Sequence, residues 1–199
     1  MATTALILLA YVLGSLPFAV IVSRALGLPD PRSYGSGNPG ATNVLRTGRK
    51  LAALLTLAGD GGKGWLAVFL AARFGADAAG IAACALAVFV GHLYPVFLGF
   101  KGGKGVATAA GVLFAFDPWL GLAAAATWVV VVVPFRYVSL ASMVAALMSP
   151  MYAYFMSVQS DAVIALVLIG ALIVWRHKGN ILKLAAGKER KIGEKEAQA

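Results

Sequence analysis

The chain has 199 residues, of which 60% are hydrophobic and 13% are charged, and its formal net charge is +9. Soluble domains carry only about 45–50% apolar residues even when glycine is included, so this composition excludes an ordinary soluble domain and indicates a polytopic membrane protein. The single cysteine, Cys84, excludes an intrachain disulfide framework, and no run of Lys and Arg is long enough to suggest a nucleic-acid-binding arm.

Seven apolar segments follow one another along the chain and predict an all-α fold. They cover residues 4–26, 51–72, 76–98, 105–116, 118–134, 138–158 and 160–176. A helix needs about 20 residues to cross a bilayer, so the fourth and fifth segments are short for spanning helices. The sequence therefore predicts seven transmembrane helices, with five helices and a re-entrant pair as the alternative. Residues 1–199 are expected to form a single membrane domain, in which 177–199 include a short basic cytoplasmic tail.

Basic residues collect on one side of this predicted topology. The alternate loops on that side, together with Arg24 and Arg176 at segment ends, hold 15 of the 17 Lys and Arg residues, whereas the three links on the other side hold one Arg and three Asp. Cytoplasmic loops of membrane proteins are enriched in Lys and Arg. The distribution therefore predicts an external N-terminus and a cytoplasmic C-terminus for either number of helices.

The first cytoplasmic loop contains a glycine-rich basic stretch, GSGNPGATNVLRTGRK, at residues 35–50. Asn38-Pro39 is typical of a helix N-cap followed by the first helical residue, which predicts unpaired backbone N–H groups at this point. A helix N-terminus beside Arg46 is a suitable place for a phosphate group. The alternative is a solvated basic loop that only sets the topology.

Three further stretches of similar chemistry lie on the same predicted side. They are GHLYPVFLGFKGGKG at residues 91–105, RYVSLAS at 136–142 and RHKGNILKLAAGKE at 176–189. A channel or transporter is expected to place polar or broken segments near the bilayer midplane in matching halves. Here the polar residues gather at one membrane face and the sequence has no internal repeat. The pattern favours one cationic pocket at the cytoplasmic face.

A few polar residues interrupt the apolar segments. Asp60 and Lys63 are three residues apart and therefore share one helix face. They form either a structural ion pair or, through Lys63, the base of an anionic pocket. His92 lies near the cytoplasmic end of the third segment, where it either makes a structural hydrogen bond or binds a phosphate or carbonyl oxygen.

Several kinds of catalytic site are excluded by spacing. The residue six before Lys104 is Leu98 rather than the first glycine of a P-loop, and Gly105 follows that lysine instead of Ser or Thr. The sequence has no G-x-S-x-G nucleophile elbow, no His-x4-Asp pair and no cluster of carboxylates for a metal on the cytoplasmic side. What remains is a pocket that binds phosphorylated substrates and acts by positioning and charge stabilisation. Neither a metal nor a cofactor is expected.

These stretches resemble a known family. GSGNPGATNVLRTGRK, GHLYPVFLGFKGGKGVAT, RYVSLAS and RHKGNILKLAAGKERKIG are similar, in order and spacing over nearly the whole chain, to the bacterial acyl-phosphate-dependent glycerol-3-phosphate acyltransferases, the PlsY family. The resemblance implies an inner-membrane enzyme that transfers an acyl group from acyl phosphate to the 1-hydroxyl of sn-glycerol 3-phosphate. The products are lysophosphatidic acid and inorganic phosphate, at the start of phospholipid synthesis, without a covalent acyl-enzyme.

The resemblance also gives each motif residue an expected role in a pocket that holds two phosphate groups. Direct participation in the reaction is expected for Ser36, His92, Lys104, Ser142, His177 and Asn180. Substrate binding is expected for Asn38, Asn43, Arg46, Ser139, Lys178 and the backbone amides of Gly102 and Gly103. The substrate's own phosphate is one candidate for the general base. The expected partners are acyl phosphate, glycerol 3-phosphate and membrane lipids, with the chain acting as a monomer and without nucleic acid.

A second function class fits the same basic charge. A small membrane transporter, or a protein that binds anionic lipid headgroups through its cytoplasmic loops, would also carry this charge. An acyltransferase that uses acyl-CoA as its donor is a further alternative. The one-sided clustering of polar residues and the missing repeat favour the acyltransferase over the transporter, and a change of acyl donor in an activity assay separates the two acyltransferases.

Overall fold

The computed structural model describes residues 2–194, so Lys195 and Glu196 of the predicted tail lie outside the described part. Within it the regular structure is entirely helical, which confirms the all-α prediction. The α-helices are α1 (Ala2–Gly14), α2 (Phe18–Ala25), α3 (Ala41–Leu45), α4 (Lys50–Arg73), α5 (Ala78–Leu93), α6 (Val106–Phe116), α7 (Pro118–Phe135), α8 (Val138–Phe155), α9 (Ser160–Arg176) and α10 (Lys178–Ala185), with a 3-10 turn at Val96–Leu98.

Each predicted apolar segment corresponds to a helix or to a bent pair of helices. By length and hydropathy, three stretches of the described chain are able to cross a membrane alone: Ala78–Leu98, α7 and α8. The bent pairs α1/α2 and α9/α10, with angles of 44° and 57°, raise the number to five. Helix α4 has 24 residues but contains Asp60 and Lys63, and α6 has only 11 residues. Seven membrane crossings therefore stay a prediction.

Acidic residues on the less basic side of the chain start helices there. The Asp77 carboxylate accepts a hydrogen bond from the Gly80 amide at 2.8 Å, at the beginning of α5. The Asp117 carboxylate accepts from the amides of Trp119 and Leu120 at the beginning of α7. A side-chain oxygen at this position satisfies N–H groups that have no partner within the helix. Two of the three aspartates on this side thus serve as helix caps.

Glycines let two pairs of helices approach backbone to backbone. A Cβ atom on Gly64 of α4 would lie 2.2 Å from the Thr108 carbonyl oxygen, and one on Gly111 of α6 would lie 1.9 Å from that of Gly61. Helices α1 and α5 are in similar contact, since a Cβ on Gly14 would lie 2.1 Å from the Val88 carbonyl oxygen. Small residues of this kind are characteristic of helix contacts in membranes. The contact between α4 and α6 brings Asp60 beside the N-terminal half of α6.

The first apolar segment is broken between α1 and α2, where Pro17 lacks an N–H group. The Leu16 carbonyl at this break accepts a hydrogen bond from Lys63 Nζ at 2.8 Å. The same ammonium group lies 2.9 Å from Asp60 Oδ1, and both side chains are buried. Lys63 is therefore held between a carboxylate and a backbone carbonyl, which favours the structural ion pair over the alternative that Lys63 forms the base of a pocket.

Candidate functional site

A cavity of about 670 Å³ lies where the basic loops meet the helix ends. Pockets for small molecules commonly have volumes of about 300–1,000 Å³. The structure brings together at its surface ten of the thirteen side chains and glycines that the sequence assigned to the site: Ser36, Asn38, Asn43, Arg46, His92, Lys104, Ser139, Ser142, His177 and Asn180. The other three, Gly102, Gly103 and Lys178, are outside its lining.

The first basic loop is organised by the side chain of Asn43, which is buried. Its amide nitrogen donates to the carbonyl oxygens of Pro31 and Tyr34 at 2.7 and 3.2 Å. Its Oδ1 atom accepts from the Ser36 amide at 3.0 Å, from the Ser36 hydroxyl at 3.2 Å and from Arg46 Nη1 at 3.2 Å. Both ends of the Asn43 amide are thus occupied by the protein. The contacts indicate that Asn43 holds Ser36 and Arg46 in place.

The helix that follows this loop begins later than the sequence suggested. Helix α3 starts at Ala41, with Gly40 at its N-cap position in an extended conformation and without a capping side chain. The expectation of an N-cap at Asn38 is therefore wrong. Asn38 still lines the cavity. Because α3 is only five residues long, the charge of Arg46 rather than a helix terminus is the main feature of this loop that favours an anion.

A chain of polar contacts connects three further elements at the cavity. Lys104 Nζ donates to Asn180 Oδ1 at 2.5 Å, the Asn180 amide nitrogen donates to Glu189 Oε1 at 2.7 Å, and the Ser139 hydroxyl donates to the same oxygen at 2.6 Å. Burial lowers the pKa of Lys104 from 10.5 to about 8. Lys104 therefore remains mostly protonated at pH 7 and supplies a positive charge beside the cavity.

The glycine loop between α5 and α6 is held by its own backbone and by Arg176. The amides of Gly102 and Gly103 donate to the carbonyl oxygens of Leu93 and His92 at 3.1 and 3.2 Å. Both donors are thus used within the protein, and the expected binding of phosphate by these two amides stays a prediction. Arg176, which had no assigned role, donates to the carbonyl oxygens of both glycines at 2.9–3.2 Å. It fixes the loop that carries Lys104.

The histidine of the last motif is neutral in this environment. His177 is buried, and burial lowers its pKa to about 4. Its Nδ1 atom lies 2.7 Å from the Ile173 carbonyl oxygen and must be the protonated nitrogen, since a carbonyl only accepts. The other nitrogen, Nε2, is then a hydrogen-bond acceptor. His177 therefore adds an acceptor to the cavity lining rather than a positive charge.

Lys178 lies outside the cavity, on the exposed side of α10. Its ammonium nitrogen lies 5.6 Å from the centroid of the Trp175 ring, in a cation–π arrangement. Leu182, one helical turn further along, is 71% exposed. A Lys, a Trp and a Leu on one outward face are typical of the membrane–water interface. The expected substrate-binding role of Lys178 stays a prediction without a contact at the cavity.

The segment after α10 was not assigned to the site from the sequence. Residues 189–194 all line the cavity. They are held against the turn before α8 by two hydrogen bonds: the Ile192 amide donates to the Arg136 carbonyl at 2.8 Å, and Arg136 Nη2 donates to the Ile192 carbonyl at 2.9 Å. This segment therefore forms a wall of the site, whereas the sequence predicted only a short basic tail here.

The far part of the cavity is apolar and lies between α6, α7, α8 and α9. Its surface consists largely of small residues, including Ala110, Gly121, Ala124 and Ala146. A buried cluster of Leu113, Leu120, Ala124, Ala153 and Leu166 lies at the end remote from the basic loops. One cavity thus joins a polar end to an apolar groove.

The serine hydroxyls at the polar end donate to oxygen acceptors and not to a histidine. Ser142 donates to the Val138 carbonyl at 2.8 Å, Ser139 donates to Glu189, and Ser36 donates to Asn43. A nucleophilic serine requires an adjacent general base. Within residues 2–194, no group of three or more His, Cys, Asp or Glu side chains is arranged to hold a metal ion. The arrangement suits binding and orientation of anionic reactants.

Comparison with known proteins agrees with this arrangement. A family model described as glycerol-3-phosphate acyltransferase matches residues 4–187. The chain is 59% identical over 194 residues to the glycerol-3-phosphate acyltransferase of Thiobacillus denitrificans, covering 96% of this chain and 97% of that protein. It is 57% identical over 202 residues to the protein of the same name from Chromobacterium violaceum, with 98% of each covered.

Two solved structures share the fold. They are crystal structures of PlsY, an integral membrane glycerol 3-phosphate acyltransferase, in a glycerol 3-phosphate form and a lysophosphatidic acid form. The TM-scores are 0.92 and 0.91, the sequence identities are 38% and 37%, and each comparison covers 97% of this chain and 96% of the other.

Proposed function

Since the chain belongs to the glycerol-3-phosphate acyltransferase family, we propose that it transfers a fatty acyl group from acyl phosphate to the 1-hydroxyl of sn-glycerol 3-phosphate. The products are lysophosphatidic acid and inorganic phosphate. The two related crystal structures are described as a glycerol 3-phosphate form and a lysophosphatidic acid form, which supports the acceptor and the product. Family membership also argues against a transporter or a simple lipid-binding protein.

The observation that carries the proposal is the continuity of one cavity from charged to apolar surroundings. At its polar end, Arg46 and Lys104 come from two different loops and face a common space. At its other end, four helices enclose an apolar groove. A phosphate ester needs positively charged surroundings and an acyl chain needs apolar ones. This cavity provides both in one continuous space.

Acyl phosphate is the donor that this site suits chemically. The glycerol hydroxyl oxygen attacks the acyl carbonyl carbon and forms the ester bond, and the anhydride C–O bond breaks with its electron pair remaining on the departing phosphate. Two phosphate groups repel each other when they are close, so cations between them stabilise both the bound state and the charge on the leaving phosphate. We assign these tasks to Arg46 and Lys104.

The remaining polar residues orient the reactants. Ser36 and Asn38 lie next to Arg46 and are placed to bind one phosphate group, while Ser139, Ser142 and Asn180 bind substrate oxygens on the opposite wall. Neutral His177 accepts a hydrogen bond. The proton of the attacking hydroxyl passes to a phosphate oxygen of the substrate, because the carboxylates of Asp60 and Glu189 are engaged by Lys63 and by Ser139 with Asn180. Transfer is direct, without an acyl-enzyme.

We further propose that the chain crosses the bacterial inner membrane seven times as a monomer, with its N-terminus outside and the site facing the cytoplasm. The one-sided distribution of Lys and Arg supports this orientation. Large apolar side chains on the outer faces of the helices, such as Val130 at 71% and Val133 at 69% exposure, support contact with lipid.

The experiment is a donor comparison with purified protein in detergent. Palmitoyl phosphate and glycerol 3-phosphate should yield lysophosphatidic acid and inorganic phosphate in equal amounts, while palmitoyl-CoA should yield neither. Lysophosphatidic acid is measured by mass spectrometry and phosphate by a colorimetric assay. Turnover with palmitoyl-CoA alone would contradict the proposed donor. Phosphate release without lysophosphatidic acid would indicate hydrolysis and contradict the transfer.

A further inference from the structure

Asp60 is a buried carboxylate that the proposed reaction does not use. Its side chain is only 4% exposed, and it lies at the boundary between the cavity and the interior of the helix bundle. Its Oδ1 atom is 2.9 Å from Lys63 Nζ on one side and 3.5 Å from His92 Nδ1 on the other. Lys63 points away from the cavity, toward the Leu16 carbonyl. His92, in contrast, forms part of the cavity lining.

Only one of the two neighbours of Asp60 accounts for a carboxylate at this position. Neutralising the charge of Lys63 explains why a carboxylate is present in α4, but it does not explain why the same oxygen also faces the ring of His92. Burying a carboxylate is costly unless it is paired, and Lys63 meets that condition alone. The contact with His92 is therefore an additional feature that links a structural ion pair to a residue of the site.

The negative charge of the carboxylate favours a proton on the nearer nitrogen of the His92 ring. An unprotonated Nδ1 would direct its lone pair at a negative charge 3.5 Å away, whereas a protonated Nδ1 is attracted to it. The Thr108 hydroxyl, 3.2 Å from the same nitrogen, can accept from this N–H or donate to a lone pair, so it does not select either form. With the proton on Nδ1, the Nε2 atom of the neutral ring is a hydrogen-bond acceptor.

The position of the ring is fixed from the other side by the glycine loop. A Cβ atom on Gly103 would lie 2.3 Å from His92 Nε2, so only glycine lets the loop approach the ring this closely. The Gly103 amide also donates to the His92 backbone carbonyl at 3.2 Å. The ring is thus held at Nδ1 by Asp60 and Thr108, while Gly103 packs beside Nε2 without donating to it, because its amide already donates to the His92 backbone carbonyl.

We propose that Asp60 is a positioning residue that acts through His92: it keeps the proton on Nδ1, so that Nε2 serves as an acceptor for a substrate hydroxyl in the cavity. The tautomer of His92 follows from its contact with Asp60 and does not require the proposed function. The effect on the reaction rests on the proposed function and on the direct participation in it that the family resemblance implies for His92.

The first test measures the tautomer without any turnover. The chain contains only two histidines, so ring nitrogen-15 resonances of the purified protein can be assigned with a single His177→Gln variant. The wild type should show His92 protonated at Nδ1. The Asp60→Asn/Lys63→Met double variant, which removes both charges and leaves neither unpaired, should shift His92 toward the Nε2-protonated form. An unchanged tautomer would overturn the proposal.

A matched variant separates Asp60 from its neighbour. Thr108→Val removes the hydroxyl but preserves the shape of the side chain and the Asp60–Lys63 pair, so the His92 tautomer should remain that of the wild type. If Thr108→Val changed the tautomer, the hydroxyl rather than the carboxylate would hold the proton, and the proposal would be wrong. This variant keeps the test decisive even if the double variant folds poorly.

The second test asks whether Asp60 acts on the reaction only through His92. In the acyl phosphate assay, the Asp60→Asn/Lys63→Met pair should lower kcat about tenfold or more, as expected for a misplaced reacting group. The same pair introduced into a His92→Ala background should cost less than twofold further. Full activity of the double variant, or an equal loss in both backgrounds, would show that Asp60 does not act through His92. Wild-type turnover in the same assay tests the proposed function independently.

Discussion

The two ends of the cavity are built on different principles. At the polar end, side chains from separate elements are fixed by one another, as in the contacts that run from Lys104 through Asn180 and Glu189 to Ser139. At the apolar end, the groove is lined by small residues such as Ala124 and Ala146. The polar end therefore depends on the identity of each hydrogen-bonding side chain, whereas the apolar end depends on the volume of the side chains that line the groove. Substitutions should therefore have abrupt effects at one end and graded effects at the other.

The largest expected effect follows from removing a cation at the polar end. Lys104→Ala or Arg46→Ala should lower kcat/KM for glycerol 3-phosphate by about 100-fold or more, because a lost charged contact to phosphate costs roughly 2–4 kcal/mol of transition-state stabilisation. Steady-state kinetics in detergent measures the change. Lys101→Ala is the matched control, since Lys101 lies on the same loop but is exposed and outside the cavity lining. Near-normal kcat/KM in both variants would remove these cations from the mechanism.

The pH profile tests the same end of the cavity without removing a side chain. Because burial brings the pKa of Lys104 down to about 8, the free enzyme should lose this charge as the pH rises through 8. Since kcat/KM reports the free enzyme, it should then fall by up to about tenfold per pH unit. Lys104→Arg keeps the charge at every accessible pH, so its alkaline limb should move upward. An identical limb in the arginine variant would assign that limb to another group.

A smaller loss is expected when the support of the polar side chains is weakened. Glu189→Gln removes the charge that Ser139 and Asn180 donate to, and it should lower kcat/KM about tenfold, in keeping with the strength of hydrogen bonds to charged groups. Lys188→Gln changes the charge of the neighbouring exposed residue and should have little effect. If both variants behaved alike, the net charge of the segment rather than the Glu189 contacts would be responsible.

The smallest and most selective effect is expected at the apolar end. Ala124→Leu adds volume to the groove and should lower turnover of palmitoyl phosphate a few-fold while sparing a shorter donor such as lauroyl phosphate. Ala126→Leu on the same helix is the control, because Ala126 is exposed and does not line the cavity. The measurement is the ratio of kcat/KM values for the two donors. An equal loss with both donors would place the acyl chain elsewhere.

The features that could be predicted from sequence are those set by local composition. The ends of α7 and α9 follow the hydropathy pattern to within a residue, and Asp117-Pro118 marks the start of α7. The choice of most site residues also came from local motifs, because glycine-rich basic stretches on one side of the membrane restrict which loops can meet. The resemblance to a known family supplied the roles, which remain proposals.

Other features depend on contacts between distant parts of the chain, which local patterns do not contain. The orientation of the Gly102 and Gly103 amides depends on carbonyl groups at the end of α5. Arg176 fixes the glycine loop through hydrogen bonds to carbonyl oxygens more than 70 residues earlier in the chain. The return of residues 189–194 to the cavity depends on the turn at Arg136. The only local sign of this last feature was Glu189 at the end of the basic stretch 176–189.

The contacts between α4 and α6 have a consequence for how the chain tolerates change. At Gly111 a single added methyl group would collide with a backbone carbonyl at 1.9 Å, while at Val130, which faces outward, a whole side chain can be exchanged for another apolar one. A saturation mutagenesis map of this protein would therefore not follow hydrophobicity. Its least permissive positions away from the cavity would be those where the native side group is a hydrogen atom.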